Sequence, residues 1–111
     1  EDLSAESEYL HFGIEQEGQI VAYVLAVPLT AECAKLRQMA VAVTCQGQGL
    51  GRRLLELVEK SLKQKGFQVL ELDARKEAVG FYEKLGYAVE GDEFISVTIP
   101  HRRMTKSITA D

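Results

Sequence analysis

The segment Gln46-Gly47-Gln48-Gly49-Leu50-Gly51 runs three glycines into an amphipathic stretch, and no acidic residue lies between Gln46 and Leu55. A helix N-terminus presents unpaired N–H groups and a partial positive charge. Glycines let that backbone approach an anion without a Cβ in the way. Arg52 and Arg53 add cations at the same end. Such an assembly suits a pyrophosphate or a similar polyanion, although glycines at a helix start also serve plain packing. Two phosphate motifs do not fit. No Lys-Ser or Lys-Thr follows the glycines, as a Walker loop needs, and the third glycine of a dinucleotide fingerprint falls on Arg52.

Other reactive side chains are sparse. Cys33 and Cys45 stand in no metal-like spacing and read as two reduced thiols of a cytosolic protein. His11 and His101 are far apart, with no Cys or His beside either, so no metal site is expected. The chain has 111 residues and a net charge of −4, which leaves room for one domain and argues against a sequence-independent nucleic-acid binder. The acidity weakly favours a cationic or amine substrate, or serves solubility alone. Neither a signal peptide nor a membrane span is expected: the longest apolar run, Ile20 to Leu29, is short and contains a proline.

The elements that must position the loop follow from periodicity. Glu1 to Glu8 reads as a flexible lead-in. Tyr9 to Glu15 alternates, Glu17-Gly18-Gln19 is a turn, and Ile20 to Val27 is β-rich, giving a hairpin that Pro28 closes. Cys33 to Val43 predicts a third strand carrying Leu36, Met39, Val41 and Val43. From Leu50 to Lys65 the period becomes helical, with Leu50, Leu54, Leu55, Val58 and Leu62 on one face. Gln68 to Leu72 predicts a strand and Lys76 to Lys84 a helix. Tyr87 to Glu90 is a strand, Gly91-Asp92 a turn, and Ile95 to Ile108 holds the last strand, interrupted by Pro100. The order β-β-β-α-β-α-β-β predicts an α/β (α+β) protein: a mixed, mostly antiparallel sheet with two main helices and one parallel pair at the strand-helix-strand crossover.

With Gln46, Gly49 and Gly51 filling the pattern (Arg/Gln)-x-x-Gly-x-(Gly/Ala), the chain resembles the GNAT superfamily of N-acetyltransferases. The likeness runs from Leu36 to about Lys106, and more loosely through the hairpin. Leu36 to Leu55 looks like the family's central strand, loop and helix, and Ala74 to Tyr87 like its next helix and strand, at the family's spacing. The resemblance implies the acyl-CoA N-acyltransferase fold as a single domain over residues 1–111. It implies acetyl-CoA as co-substrate, with the pyrophosphate on the amides of Gln46, Gly47, Gln48, Gly49, Leu50, Gly51 and Arg52. It also implies a pantetheine arm paired with backbone at Met39, Ala40, Val41 and Val43, a contact resembling strand addition. Val41 and Val43 read equally as ordinary core.

Tyr82 matches the family tyrosine that protonates the departing thiolate. A phenol can donate that proton, and a helix-face aromatic bonded at the core edge is the plainer reading. Arg75 stands seven residues earlier, where many relatives carry an asparagine that contacts the cofactor. It reads as a CoA contact or as solvated. Glu71, Asp73, Glu93 and His101 are the candidates for the general base. Ile99-Pro100-His101 resembles a bacterial subgroup, but no glutamate stands between Phe94 and Thr98 as that subgroup has. A structural histidine beside a bent strand is the alternative.

GNAT domains usually begin with a strand and one or two helices that wall the acceptor site, whereas this chain starts almost at its hairpin. A truncated chain, or a minimal member whose partner copy in a homodimer supplies the wall, are both expectations. The function expected is acetyl transfer from acetyl-CoA to a primary amine by direct attack in a ternary complex. The alternatives are an acyl-CoA-binding module without turnover and a structural domain with a chance glycine loop.

Overall fold

The computed structural model describes residues 9–109. The expected lead-in, residues 1–8, lies outside them. Strands β1 (Leu10–Gln16), β2 (Gln19–Pro28) and β3 (Cys33–Val41) lead through a short 3₁₀ turn, Val43–Cys45, into helix α1 (Leu50–Gln64). Strand β4 (Val69–Arg75), a second 3₁₀ turn at Lys76–Ala78, helix α2 (Val79–Lys84), β5 (Ala88–Ser96) and β6 (Ile99–Ser107) complete the elements among the described residues. The six strands form one sheet in the order β1-β2-β3-β4-β6-β5, with β3 and β4 its parallel pair and every other pair antiparallel. This is the mixed, mostly antiparallel architecture that the element order predicts.

Alternation divides the sheet into two faces. Ala22, Val24, Ala26, Ala34, Leu36, Leu70, Leu72, Ala74 and Met104 are buried in one cluster with Leu50, Leu54, Leu55, Val58 and Leu62 of α1. Burying each such leucine contributes roughly 1.5–3 kcal/mol, which is why the helical stripe from Leu50 to Leu62 fixes α1 on this face. The intervening residues, among them Lys35, Arg37, Glu71, Asp73, Arg75, His101 and Arg103, lie on the other face, where no helix packs among the described residues. No helix among them is long and apolar enough to cross a membrane.

A β-bulge in β3 is decisive for the site. Opposite Tyr23 and Leu25, β3 supplies Ala40 and Arg37, so one extra residue is accommodated, and Gln38 takes φ 58°. The bulge lets Leu36, Met39 and Val41 all serve the helix side although the first two stand three positions apart. That odd spacing was visible in the sequence.

Three expectations need correction. β4 continues to Arg75 rather than stopping at Leu72. Its last residues alternate Asp73, Ala74, Arg75, a half-buried pattern in which the polar members hide the strand. Gly91-Asp92 is not the turn: these residues sit in a bulge within β5, and the chain reverses at Val97-Thr98, at φ 51° and 61°. Two β-branched residues in the left-handed region are rare, so no sequence rule would place the turn there. Pro100 is the second residue of β6 and does not break it: it stands opposite Ile95 of β5, and β6 pairs with β4 only from His101 onward. A missing N–H is tolerated at such a strand end.

Candidate functional site

β3 and β4 pair only from Cys33 to Leu36 against Val69 to Leu72. Beyond Leu36, β3 bulges and diverges, while β4 stays on β6 as far as Arg75 opposite His101. The strands splay and leave a cleft of about 490 Å³, in the range of small-molecule sites. Lys35, Arg37, Gln38 and Met39 line it from β3; Asp73 and Arg75 from β4; Tyr82 from α2; Ser96 and His101 from the β5–β6 hairpin. Five residues singled out in the sequence, Met39, Asp73, Arg75, Tyr82 and His101, thus meet in one place.

The glycine loop follows the diverging strand. Gly47 and Gly49 take φ 86° and 78°, and a Cβ on either would meet nothing within 4 Å. These two are glycine for backbone conformation, and the space in front of them is open. Gly49 caps α1 without a side-chain hydrogen bond, and the first intrahelical bond runs from Arg53 N–H to the Gly49 carbonyl. The N–H groups of residues 47 to 52 find no acceptor among the described residues. They form the row of donors that an anion needs. Gln46 steadies the loop: its Nε2 donates to the Val41 carbonyl at 3.2 Å.

Gly51 has another purpose. A Cβ there would stand 3.2 Å from Phe81 Cζ and 3.3 Å from Met39 Cε. This glycine lets α2 and β3 close on the first turn of α1. Leu50 is buried, so only its backbone is available to a ligand. Val43 is neither core nor strand: it opens the 3₁₀ turn with its side chain 84% exposed. Arg52 pairs with Glu56 at 3.2 Å and belongs to a different hollow, shared with Lys84 and Lys106.

Tyr82 is half-buried, and burial raises its phenol above the ordinary value. Its hydroxyl donates to Met39 Sδ at 3.6 Å, a weak acceptor that leaves the proton available. The end of α2 is held by a bracket beneath it. Tyr87 donates to Glu59 at 2.8 Å, and Lys106 donates to Glu59 at 2.9 Å and to the Leu85 carbonyl at 2.7 Å. Burial, reinforced by Glu59, raises the Tyr87 phenol as well. Tyr87 N–H closes the turn on the Tyr82 carbonyl, and the two rings meet edge to face at 5.8 Å.

The candidate bases separate by their partners. Asp73 receives Lys35 at 2.9 Å and Arg103 at 2.8 Å, while Glu71 faces the same two cations at 3.9 and 3.4 Å. Partial burial works to raise the Asp73 carboxyl, but the hydrogen bonds from Arg103 and Lys35 outweigh it and hold the group below its ordinary value. An acid so held is a poor proton acceptor. Glu93 is exposed beside Lys76, 3.9 Å away, and does not line the cleft. His101 does line it, stacked on Phe94 at 5.8 Å, with Nδ1 2.8 Å from the Ile99 carbonyl. A carbonyl only accepts, so Nδ1 carries the hydrogen and Nε2 is left as the acceptor of the neutral ring.

Arg37 and Lys35 were not singled out as site residues from the sequence. Arg37 reaches the cleft because the bulge begins at the next residue, while Lys35 lies on the same face in the regular pairing with Glu71; the three-residue step from Leu36 to Met39 is the signal that could have found the bulge.

A parallel strand pair opened into a cleft, beside a glycine loop with free amides, defines a class of protein. The family model described as an acetyltransferase (GNAT) domain matches residues 1–108. This chain belongs to the GNAT acetyltransferase family. It is 35% identical over 81 residues to the uncharacterised protein YyaT of Bacillus subtilis, covering 73% of this chain and 55% of that one. It is 37% identical over 82 residues to the ribosomal protein bS18-alanine N-acetyltransferase of Escherichia coli, covering 71% and 55%. The E. coli enzyme's crystal structure superposes with a TM-score of 0.81 at 29% identity, over 93% of this chain and 71% of that one. An aminoglycoside 6′-N-acetyltransferase complexed with coenzyme A shares the fold, with a TM-score of 0.83 at 19% identity over 94% and 75%. The chain spans 55% of the length of both curated relatives.

Proposed function

We propose that this domain, residues 1–111, moves an acetyl group from acetyl-CoA to a primary amine by direct attack in a ternary complex. The observation that carries the proposal is the splayed β3–β4 cleft with the open amides of residues 47 to 52 at its end. These amides suit the pyrophosphate. The edge of β3 that β4 leaves at Met39, Ala40 and Val41, where Gln46 occupies the Val41 carbonyl, suits the amide-bearing pantetheine arm, which would lead the thioester into the cleft towards Tyr82 and His101. The relatives' names, and the coenzyme A in one shared fold, support the co-substrate.

The chemistry then follows. A neutral amine attacks the thioester carbonyl, and His101 Nε2, directly or through water, takes the proton the new ammonium sheds. The tetrahedral intermediate collapses, the C–S bond breaks, and the leaving thiolate takes the proton of Tyr82. Burial keeps that phenol protonated at neutral pH. Solvent restores the proton afterwards.

Cys33 and Cys45 are free thiols, which fits a cytoplasmic location. Pairing of two copies across the helix-free face belongs to the same reading, and a monomer by sedimentation at high concentration would count against it. The central test is a CoA-induced thermal shift followed by an amine panel read by thiol release. A shift with release supports transfer. A shift without release across the panel makes the domain a CoA-binding module, and no shift at all rejects the cofactor assignment.

A further inference from the structure

The acceptor must enter from the face that α1 and α2 leave uncovered, and there the cleft has a charge opposite to that of the chain. The whole chain carries −4, yet its cleft is lined by Lys35, Arg37 and Arg75 against the single carboxylate Asp73. Lys35 and Arg103 already engage both Asp73 and Glu71. Arg37 and Arg75 form no ion pair among the described residues. They stand on the two sides of the opening: Arg37 is the last residue of β3 before the bulge, and Arg75 is the last residue of β4, opposite His101. Alternation puts Arg75 on the face away from α1, with Asp73 and Glu71.

We propose that Arg37 and Arg75 select an acceptor that carries a carboxylate a few bonds from its reactive amine, and that they disfavour polycationic amines. This rests on the acyl-transfer reading above. Guanidinium groups match a carboxylate with two parallel hydrogen bonds. The same cations also act on the reacting end. A positive surrounding disfavours the ammonium form of a bound amine and so raises the share of neutral nucleophile. A substrate with several ammonium groups gains no such partner and is repelled. A zwitterionic acceptor satisfies both requirements: its carboxylate meets the arginines and its amine faces His101.

The test uses matched probes: glycine and 4-aminobutanoate, each beside its own carboxamide, with spermidine as the polycation. Binding to the protein–CoA complex is measured by calorimetry, and transfer from acetyl-CoA by thiol release. The carboxylates are expected to bind about tenfold tighter than the carboxamides, with the preference appearing in KM rather than kcat. Arg37→Gln and Arg75→Gln should each shrink that ratio, and raised salt should shrink it further. Equal affinity for the two members of each pair, a preference for spermidine, or a ratio untouched by both substitutions overturns the proposal. Calorimetry with CoA needs no turnover. A carboxylate preference without thiol release therefore sinks the transfer reading and leaves Arg37 and Arg75 as a carboxylate-binding site only, and release without preference overturns the selection by the two arginines while transfer stands.

Discussion

On its helix side the cleft is finished with main chain: the amides of residues 47 to 52, freed by glycines in left-handed conformations, and the edge of β3 that β4 leaves. On the opposite side it is finished with charged side chains: Arg37, Arg75 and His101 beside the Lys35–Asp73 pair. A backbone site tolerates most side chains but demands glycine at fixed points, so it leaves a motif. A side-chain site demands only that strand register bring the right residues together, and register is written diffusely. This difference explains how far the sequence could be read. The glycine loop, the hairpin, the amphipathic face of α1 and the position of Tyr82 were all legible, because each depends on a local pattern. Arg37 was not, since its place depends on a bulge at Gln38. The polar end of β4 and the turn at Val97-Thr98 were missed because tertiary pairing overrides composition at both points.

The largest expected effect tests whether Tyr82 does chemistry. Tyr82→Phe should lower kcat by about 10²–10⁴-fold while CoA affinity changes little, since the amides proposed for the cofactor's phosphates lie elsewhere. Equal losses in both quantities, or in neither, would return Tyr82 to a packing role. Burial raises its phenol, so any alkaline loss of rate below about pH 10 must come from another group.

The two glycine types should then part company. Gly49→Val places a β-branched residue at φ 78°, a conformation costing about 1–3 kcal/mol, and puts side-chain atoms where the anion would lie. CoA affinity should drop about tenfold or more, while kcat at saturating CoA is largely kept. Gly51→Ala should act through the other half of the structure. Its Cβ presses on Phe81 and Met39, so overpacking should cost roughly 1 kcal/mol and show first as a lower Tm, with turnover following through the Met39–Tyr82 contact. If Gly51→Ala instead weakens CoA alone, the division of labour among the three glycines is wrong.

The smallest effect concerns the charged half and is a matter of sign. Lys35 and Arg103 hold the Asp73 carboxyl below its ordinary value. A depressed folded-state pKa means that the pairing stabilises the protein fully above the unfolded value of about 3.9. The contribution is then lost as pH falls through the lower folded value. Asp73→Asn should therefore lower Tm modestly and by the same amount from neutral pH down to about pH 5, and the gap to the parent should close in more acidic solution. The side chain is partly solvated, so screening keeps the effect small and high salt should reduce it. The same substitution leaves Lys35 and Arg103 with only Glu71 as a carboxylate partner, which makes the acceptor mouth more positive. Preference for a carboxylate-bearing acceptor should rise slightly, with CoA affinity unchanged. If Asp73→Asn moved CoA affinity as much as acceptor preference, the two mouths would share one electrostatic field and could not be treated as separate halves.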